Sequence, residues 1–382
     1  MKSFKLFSVL LVTATLLFNC THDTEYITGP TGPAGADGIA GADGQDGQDG
    51  ADGGAAVCID CHSNTHRDPI RAAYDLSTHA AGYTVGYAGA RSNCAQCHSN
   101  EGYVDFMDTG SVNPAGYYGL SEPELVINDN DTPDDPSDDY PELDEYGLPI
   151  YSNNPESIAS RITCTTCHSI HQSFDFETDG NDYALRGLEP VTLMTDGYVI
   201  DFGPDRSNVC ITCHQPRRTG PTDDGEGMFE VTSTHWGPHH GPQSTFLEGI
   251  QGVEIPGSQV YPAPGAATHR NSASCVVCHM APTTDGSDGL HTWVPSDNAC
   301  TTCHQNGIPS QDFMQSDMAT LAALLETIGI VHDDHPVRGV YPILAAEAAW
   351  NYLTVLEDAS GGVHNPAYAR ALIRNSIDAL QN

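Results

Sequence analysis

The chain has 382 residues, of which 39% are hydrophobic, and it carries a formal net charge of −37 at pH 7. Such an acidic surface repels phosphate backbones, so the composition argues against nucleic acid and favours a basic redox partner, bound cations or colloidal solubility alone. The length allows one or two domains, and apolar periodicity is scarce before about the last 70 residues, which predicts a thin all-protein core.

The N-terminal segment is typical of a secreted bacterial protein. Lys2 and Lys5 precede an apolar run from Leu6 to Phe18, which is too short to span a bilayer and indicates a signal peptide. Leu17-Phe18-Asn19-Cys20 resembles a lipobox, in which Cys20 would be lipidated and become the new N-terminus. A simple signal peptide cut nearby is the alternative, and both interpretations place the mature chain outside the cytoplasm.

Glycine recurs at every third position from Gly29 to Gly53, nine times in all. This is the period of collagen, which exists because only glycine fits the crowded axis of a triple helix. Proline occurs in only the first two triplets, and no lysine offsets the aspartates. A flexible spacer between the lipid and the folded region is the preferred interpretation, with a trimeric stalk as the alternative.

An acidic insert at residues 129–145 contains nine carboxylates and no cation. Clustered hard oxygens are the ligands that Ca²⁺ takes, although the insert lacks the glycine and terminal glutamate of an EF-hand loop. A solvated loop is the preferred interpretation, and calcium binding is the alternative. The candidate calcium ligands are Asp129, Asp131, Asp134, Asp135, Asp138 and Asp139.

Twelve of the thirteen cysteines form six copies of the string Cys-X-X-Cys-His. In this string one turn of chain sets two thiols to add across the two vinyl groups of a porphyrin, while the adjacent imidazole reaches the iron. Zinc is the chief alternative, but zinc chemistry does not require a histidine directly after the second cysteine, as is found here six times out of six. The sequence therefore predicts six c-type haems. The thioether cysteines would be Cys58, Cys61, Cys94, Cys97, Cys164, Cys167, Cys210, Cys213, Cys275, Cys278, Cys300 and Cys303. The proximal iron ligands would be His62, His98, His168, His214, His279 and His304.

Each iron then needs a second axial ligand or keeps an open position, and that choice separates an electron carrier from a catalyst. Eleven further histidines follow residue 55, enough for bis-histidine ligation throughout. His171 follows His168 by three residues, so it cannot clamp the same iron and would serve a neighbouring haem. His79 precedes the second motif by fifteen residues, a separation that lets the chain loop back to that haem. The distal candidates are His79, His171, one of His239 and His240, His269, His291 and His364; His332 and His335 are interpreted as surface residues.

The segment after residue 309 has the apolar periodicity of helices. Helices are predicted at Ser310–Ile328, Ile343–Glu357 and Pro366–Leu380, with Asn365 as the N-cap of the third. The predicted fold class is mainly α with much irregular loop, a multihaem cytochrome c fold organised around stacked haems. The predicted division is a signal peptide at 1–19, a lipid-anchored N-terminus at 20–28, the collagen-like spacer at 29–54, the haem-binding region at 55–309, and a helical segment at 310–382 that packs on the haems.

Six segments of the chain follow one another in a recognisable order. They are Cys94–His98 with Glu101-Gly102-Tyr103, Cys164–His171, Cys210–Arg217, His235–Gln243, Cys275–Met280 and Gly362–Pro366. This set resembles the bacterial multihaem cytochromes c related to ammonia-forming nitrite reductase and the octahaem cytochromes, over roughly residues 55–380. The resemblance implies haem ligation by His291 and His364. The active-site haem of those reductases usually has lysine in place of the motif histidine, and no Cys-X-X-Cys-Lys occurs here.

The sequence favours an electron carrier over an enzyme, and no catalytic residue is assigned. The expected protein is an outer-membrane lipoprotein, periplasmic or at the cell surface, that passes electrons through six bis-histidine haems to other redox proteins or extracellular acceptors. It could assemble as a homo-oligomer, either a trimer or a filament. The alternative is a reductase of nitrite, hydroxylamine or a sulfur oxyanion with one five-coordinate haem.

Overall fold

The computed structural model describes residues 54–113, 127–128, 140–141, 159–203, 206–310 and 312–382. The chain divides into two units, Met1–Asp52 and Gly53–Asn382, and the first lies outside the described residues. The predicted signal peptide, Cys20, the glycine repeat and the six candidate calcium ligands also lie outside them. These features, and the domain boundaries drawn from them, stay predictions.

The described residues are mostly helical, with much coil and a few short strands. The helices are α1 (Gly54–His62), α2 (Asn64–Asp75), α3 (Thr78–Ala81), α4 (Val85–Ala88), α5 (Ala95–His98), α6 (Asn100–Thr109), α7 (Cys164–Cys167), α8 (Asn208–Ile211), α9 (Gln243–Glu248), α10 (Thr268–Ser272), α11 (Ser274–His279), α12 (Asp297–Cys303), α13 (Asp312–Ile328), α14 (Ile343–Asp358) and α15 (Pro366–Gln381). A 3₁₀ turn spans Leu290–Thr292. The strands are β1 (Ile127–Asn128), β2 (Tyr140–Pro141), β3 (Val191–Thr192), β4 (Val199–Ile200), β5 (Met228–Val231), β6 (Val331–His332), β7 (His335–Pro336) and β8 (Gly339–Pro342).

The strands form four antiparallel pairs, β1–β2, β3–β4, β5–β8 and β6–β7. The pairing of β5 with β8 is the long-range one, with Met228 opposite Pro342 and Val231 opposite Gly339. It holds the middle of the chain against the C-terminal helices. In the described part of the chain no helix combines the length and apolar character needed to cross a bilayer.

Each Cys-X-X-Cys-His motif lies on or directly beside a short helix. In four motifs the backbone N–H of the histidine donates to the carbonyl of the first cysteine, at 2.8–3.2 Å. Residues three apart on a helical turn share one face, so each pair of thiols points to the same side of its turn. This is the local geometry that thioether attachment to a porphyrin requires.

The predicted C-terminal helices are confirmed as α13, α14 and α15, with ends within two residues of the expected positions. Asn365 caps α15 as predicted, because its side chain accepts a hydrogen bond from the N–H of Tyr368 at 3.2 Å. The three helices pack together around Trp350, Leu321 and Leu372, all at most 1% exposed. Alanines at 345, 346, 348 and 349 let the helix α14 approach its neighbours closely.

A stretch of irregular chain at residues 251–261 is held by side chains of α14 and α15 instead of by a strand. Asn351 accepts from the N–H of Val253 at 2.7 Å and donates to its carbonyl at 2.9 Å. Asn375 makes the same pair of contacts with Gln259, at 2.8 and 3.0 Å. Two buried asparagines therefore supply the backbone partners that a neighbouring strand would supply elsewhere.

Candidate functional site

The structure brings each motif histidine next to one other histidine of the chain. The ring centroids of the partners lie 6.1–6.4 Å apart in every case. Numbered by motif, the six are pair 1 (His62 and His171), pair 2 (His98 and His239), pair 3 (His168 and His291), pair 4 (His214 and His79), pair 5 (His279 and His364) and pair 6 (His304 and His269).

The spacing within the pairs fits a metal ion between two imidazoles. A metal bound at about 2 Å from a nitrogen of each ring separates the two ring centroids by roughly 6 Å. The motif cysteines beside the rings fit thioether attachment, since all twelve are free thiols. The donor set is thus two thiols and two opposed imidazoles, repeated six times, which is the set that a c-type haem takes.

Hydrogen bonds orient the rings with one nitrogen turned away from the partner. Nδ1 of His168, His279 and His269 lies 2.5–2.8 Å from a backbone carbonyl, which only an N–H can satisfy. His98 and His214 contact Thr84 and Gln243 through the same atom, at 2.8 and 3.2 Å. Binding of Nδ1 to the protein leaves Nε2 for iron and fixes the tautomer, as is usual for metal-binding histidines.

Two distal histidines instead contact carboxylates. Nδ1 of His171 lies 2.5 Å from Asp182, and Nδ1 of His364 lies 2.6 Å from Asp358. Burial raises the pKa of Asp182, but N–H groups of Ala184, Gln172 and His171 outweigh it and lower that pKa to about 2. Both carboxylates are therefore placed to accept a hydrogen bond from a ring that faces a motif histidine.

Burial keeps other rings in the form that binds metal. It lowers the pKa of His79 to about 4, with a further contribution from the neighbouring His214. Burial and the nearby Arg217 guanidinium lower the pKa of His239 to about 4 as well. Both imidazoles are neutral at pH 7, and a neutral imidazole is the ligand.

The adjacent His239 and His240 differ in their placement. The ring of His239 faces His98, whereas His240 has a largely exposed side chain and its backbone N–H donates to Glu357. Both have positive φ values, 71° and 55°, so the chain turns sharply at this point. Pair 2 departs from the others in one respect, because Arg217 Nη1 lies 3.3 Å from Nε2 of His239. The Arg217 side chain would have to turn aside for this nitrogen to bind iron.

The partner of His79 differs from the sequence expectation. The sequence predicts that His79 returns to the second motif, fifteen residues ahead, but its ring lies 6.2 Å from His214 in the fourth. His269 and His291 likewise face His304 and His168, not the fifth motif beside them in sequence. His332 and His335 belong to none of the six pairs and contact Asp333, consistent with surface residues.

The second, third and fourth motifs meet around Tyr103. Cys97 Sγ and Cys213 Sγ each lie 3.7 Å from a carbonyl of the other motif, those of Thr212 and Gln96. Tyr103 is 1% exposed, and burial together with Cys213 and Cys167 of the third motif raises its pKa. Pairs 2 and 3 are therefore both neighbours of pair 4.

Trp293 joins three of the pairs. Its ring lies 4.7 Å from His79 of pair 4 and 5.3 Å from His291 of pair 3. Its carbonyl accepts the hydrogen bond from His279 of pair 5 at 2.7 Å. One residue thus contacts pairs 3, 4 and 5.

The ends of this arrangement are pairs 1 and 6. Pair 1 is tied to pair 3, because His171 follows His168 by three residues. Pair 6 is tied to pair 5, because His269 Nδ1 contacts the carbonyl of Val363, the residue before His364, at 2.5 Å. The contacts thus join pair 1 to pair 3, pairs 3, 4 and 5 to one another through Trp293, pair 5 to pair 6, and pair 2 to pair 4.

Comparison with known proteins gives relatives with the same kind of cofactor, although no protein-family model matches the chain. The C-type polyheme cytochrome OmcB of Geobacter sulfurreducens is 24% identical over 360 residues, covering 77% of this chain and 44% of the relative. The C-type polyheme cytochrome OmcC of the same organism is 24% identical over 363 residues, covering 78% and 44%. The chain is a multihaem c-type cytochrome.

A solved structure shows a weaker likeness to the cytochrome. The outer cell wall cytochrome OcwA aligns with 63% of this chain and 43% of its own, with 21% sequence identity and a TM-score of 0.37. The cytochrome spans less than half the length of OmcB and OmcC.

Sequence reasoning missed several residues of the site in this cytochrome. Asp358, Asp182 and Thr84 contact the pairs but belong to no motif. Trp293 stands two residues after His291, and a tryptophan beside a distal candidate was the one signal that could have singled it out. The carboxylates carried no such signal in a chain with 51 acidic residues.

Proposed function

We propose that this cytochrome transfers electrons outside the cytoplasm through six covalently attached haems, each held by one of the six histidine pairs. The observation that supports it is that every motif histidine has a histidine partner within the same chain. Each bound haem would supply a one-electron iron couple, of low potential under bis-histidine ligation. His239 is the proposed ligand at pair 2, and His240 is not.

The residues of the chain have three tasks in this proposal. The twelve motif cysteines would attach the haems, and the histidine pairs would hold the irons. Backbone carbonyls, Thr84, Gln243 and the two carboxylates orient the rings. Trp293 and Tyr103 lie where the pairs meet.

The contacts between pairs support a path from one end of the cytochrome to the other. The proposed succession is 1–3–4–5–6, and pair 2 would branch from pair 4. A branched succession gives electrons more than one exit, which suits a carrier between several partners. The proposed partners are other redox proteins or extracellular acceptors.

We further propose that the cytochrome is an outer-membrane lipoprotein, held through Cys20 and the spacer at residues 29–54. The relation to ammonia-forming nitrite reductases and octahaem cytochromes remains part of this proposal and rests on the motifs quoted above. A filament in which a neighbouring copy supplies a distal ligand is not favoured, because each pair is complete within one chain. Calcium binding at the acidic insert stays a prediction.

Low-temperature EPR of the oxidised, haem-loaded protein tests the proposal, with the signals integrated against total haem and the haem count taken from intact mass. We expect six haems, all low-spin. A high-spin iron in the fully loaded protein would contradict six bis-histidine sites and support the reductase alternative. Turnover of nitrite and hydroxylamine would then be measured.

A further inference from the structure

The residue that ends α14 is a buried aspartate in contact with a proposed iron ligand. The side chain of Asp358 has no exposed surface, and its Oδ1 lies 2.6 Å from Nδ1 of His364 in pair 5. In the described residues no lysine or arginine nitrogen lies within 4 Å of this carboxylate. Its negative charge is therefore directed at the ring, without a cation to balance it.

The loop between α14 and α15 is built around this contact. Ala359 adopts a left-handed conformation at the end of α14, and Gly361 and Gly362 also have positive φ values, so the chain reverses within a few residues. The hydroxyl of Ser360 donates to Oδ2 of Asp358 and accepts from the backbone N–H of His364 at 3.2 Å. Ser360, Asp358 and His364 thus form a closed ring of hydrogen bonds that fixes the orientation of the imidazole.

The other carboxylate contact is compensated. Asp182 contacts His171 of pair 1 at 2.5 Å, but it also accepts from the backbone N–H groups of Ala184 and Gln172, at 2.8 and 2.5 Å. Its side chain is 19% exposed, so water screens it further. Because two backbone N–H groups and solvent also interact with Asp182, its charge acts on His171 less strongly than the charge of Asp358 acts on His364.

Acceptor strength matters because an axial imidazole passes electron density to its iron. A buried carboxylate draws the ring proton more strongly than a backbone carbonyl does, and this makes the imidazole a stronger donor and stabilises the oxidised iron. At His168, His279 and His269 the acceptor for Nδ1 is a neutral backbone carbonyl. We propose that Asp358 is a positioning residue that orients His364 and sets a low reduction potential at pair 5, lower than a neutral acceptor would give. This inference rests on the proposed function, because it requires a haem at pair 5.

Two substitutions should shift the potential of pair 5 in opposite directions. Asp358→Asn keeps the shape but removes the charge, so the potential of one haem should rise. Ser360→Ala removes the hydroxyl that donates to the carboxylate of Asp358. More of the negative charge then acts on the His364 ring, so the same potential should fall. A tenfold change in the ratio of oxidised to reduced iron at fixed potential corresponds to 59 mV for a one-electron couple, and we expect a rise of about that size for Asp358→Asn.

The experiment is a redox titration of the full-length, haem-loaded protein at constant pH, followed by EPR, with Asp182→Asn as the matched control. The expected result is a rise for Asp358→Asn, a smaller rise for Asp182→Asn and a fall for Ser360→Ala, with every iron still low-spin. Unchanged potentials in Asp358→Asn, or shifts of one sign in both Asp358→Asn and Ser360→Ala, would overturn the inference. If Asp358→Asn does not fold, Ser360→Ala alone decides: a fall supports the inference, and no shift or a rise overturns it. Failure of the proposed function would show separately, as a high-spin iron or missing haem in the unsubstituted protein.

Discussion

The ring of His171 lies 6.2 Å from the ring of His62, although His171 stands only three residues after His168 in the sequence. A segment of four residues therefore contributes to two pairs, His168 to pair 3 and His171 to pair 1. The two sites cannot move apart without breaking this segment. A segment whose two histidines belong to different pairs thus holds the two sites together, in a part of the chain with few buried apolar side chains.

The adjacent His239 and His240 offer a matched pair of substitutions. His239→Ala should leave one of six haems high-spin, because its ring is the one that faces His98. His240→Ala should leave all six low-spin, since its side chain is largely exposed. Integrated EPR and the absorbance bands of high-spin ferric haem measure both. A high-spin iron in His240→Ala with none in His239→Ala would reverse the assignment.

The angles between the paired rings predict two classes of low-spin EPR signal. Pairs 1, 2, 4 and 6 have ring planes at 72–83°, whereas pairs 3 and 5 have planes at 30° and 43°. Parallel rings raise one of two iron d orbitals through π overlap and split them, while perpendicular rings raise both. We expect four haems with a strongly anisotropic signal and two with a rhombic signal. Six identical rhombic signals would contradict this arrangement.

Asn351→Leu tests whether buried asparagines hold the segment at residues 251–261. The substitution keeps the branching of the side chain but leaves the N–H of Val253 without its partner, whereas the carbonyl of Val253 still accepts from the N–H of Ile255 at 3.0 Å. An unsatisfied buried N–H costs about 1–3 kcal/mol, so the free energy of unfolding should fall by an amount in that range. Chemical denaturation of the haem-loaded protein measures it. The exposed Asn306→Leu is the control and should change the free energy of unfolding by less than about 0.5 kcal/mol.

Gly102→Ala tests the packing of α6 against the turn that carries the second motif. A Cβ at Gly102 would lie 2.3 Å from the carbonyl oxygen of Ala95, a backbone atom that cannot move alone. We expect a loss of about 1–3 kcal/mol in stability and a lower haem content, because α6 must shift away from α5. Gly86→Ala is the control, since a Cβ there meets nothing within 4 Å, and it should be neutral or slightly stabilising. Equal effects of both substitutions on the midpoint of unfolding would count against this packing.

The sequence alone was enough to predict the cofactor class and the C-terminal helices. Haem attachment needs two cysteines and a histidine within about one turn of chain, so a five-residue string contains all the residues that it requires. The helices α13, α14 and α15 could be predicted because apolar periodicity, Asn365 and Pro366 act over a few residues. The same locality excluded His171 as a second ligand of the iron that His168 is proposed to bind.

Only the tertiary structure decided which histidines face each other. His79 lies near the second motif in sequence but faces the fourth, and His364 faces His279 across 85 positions of chain. The choice between His239 and His240 depends on two positive φ values in one turn, and the contact of Asp358 with His364 depends on how α14 ends. The two histidines of a pair lie on chain segments that are distant in sequence and meet only when the chain folds. Their separation in sequence therefore does not indicate which of them will pair.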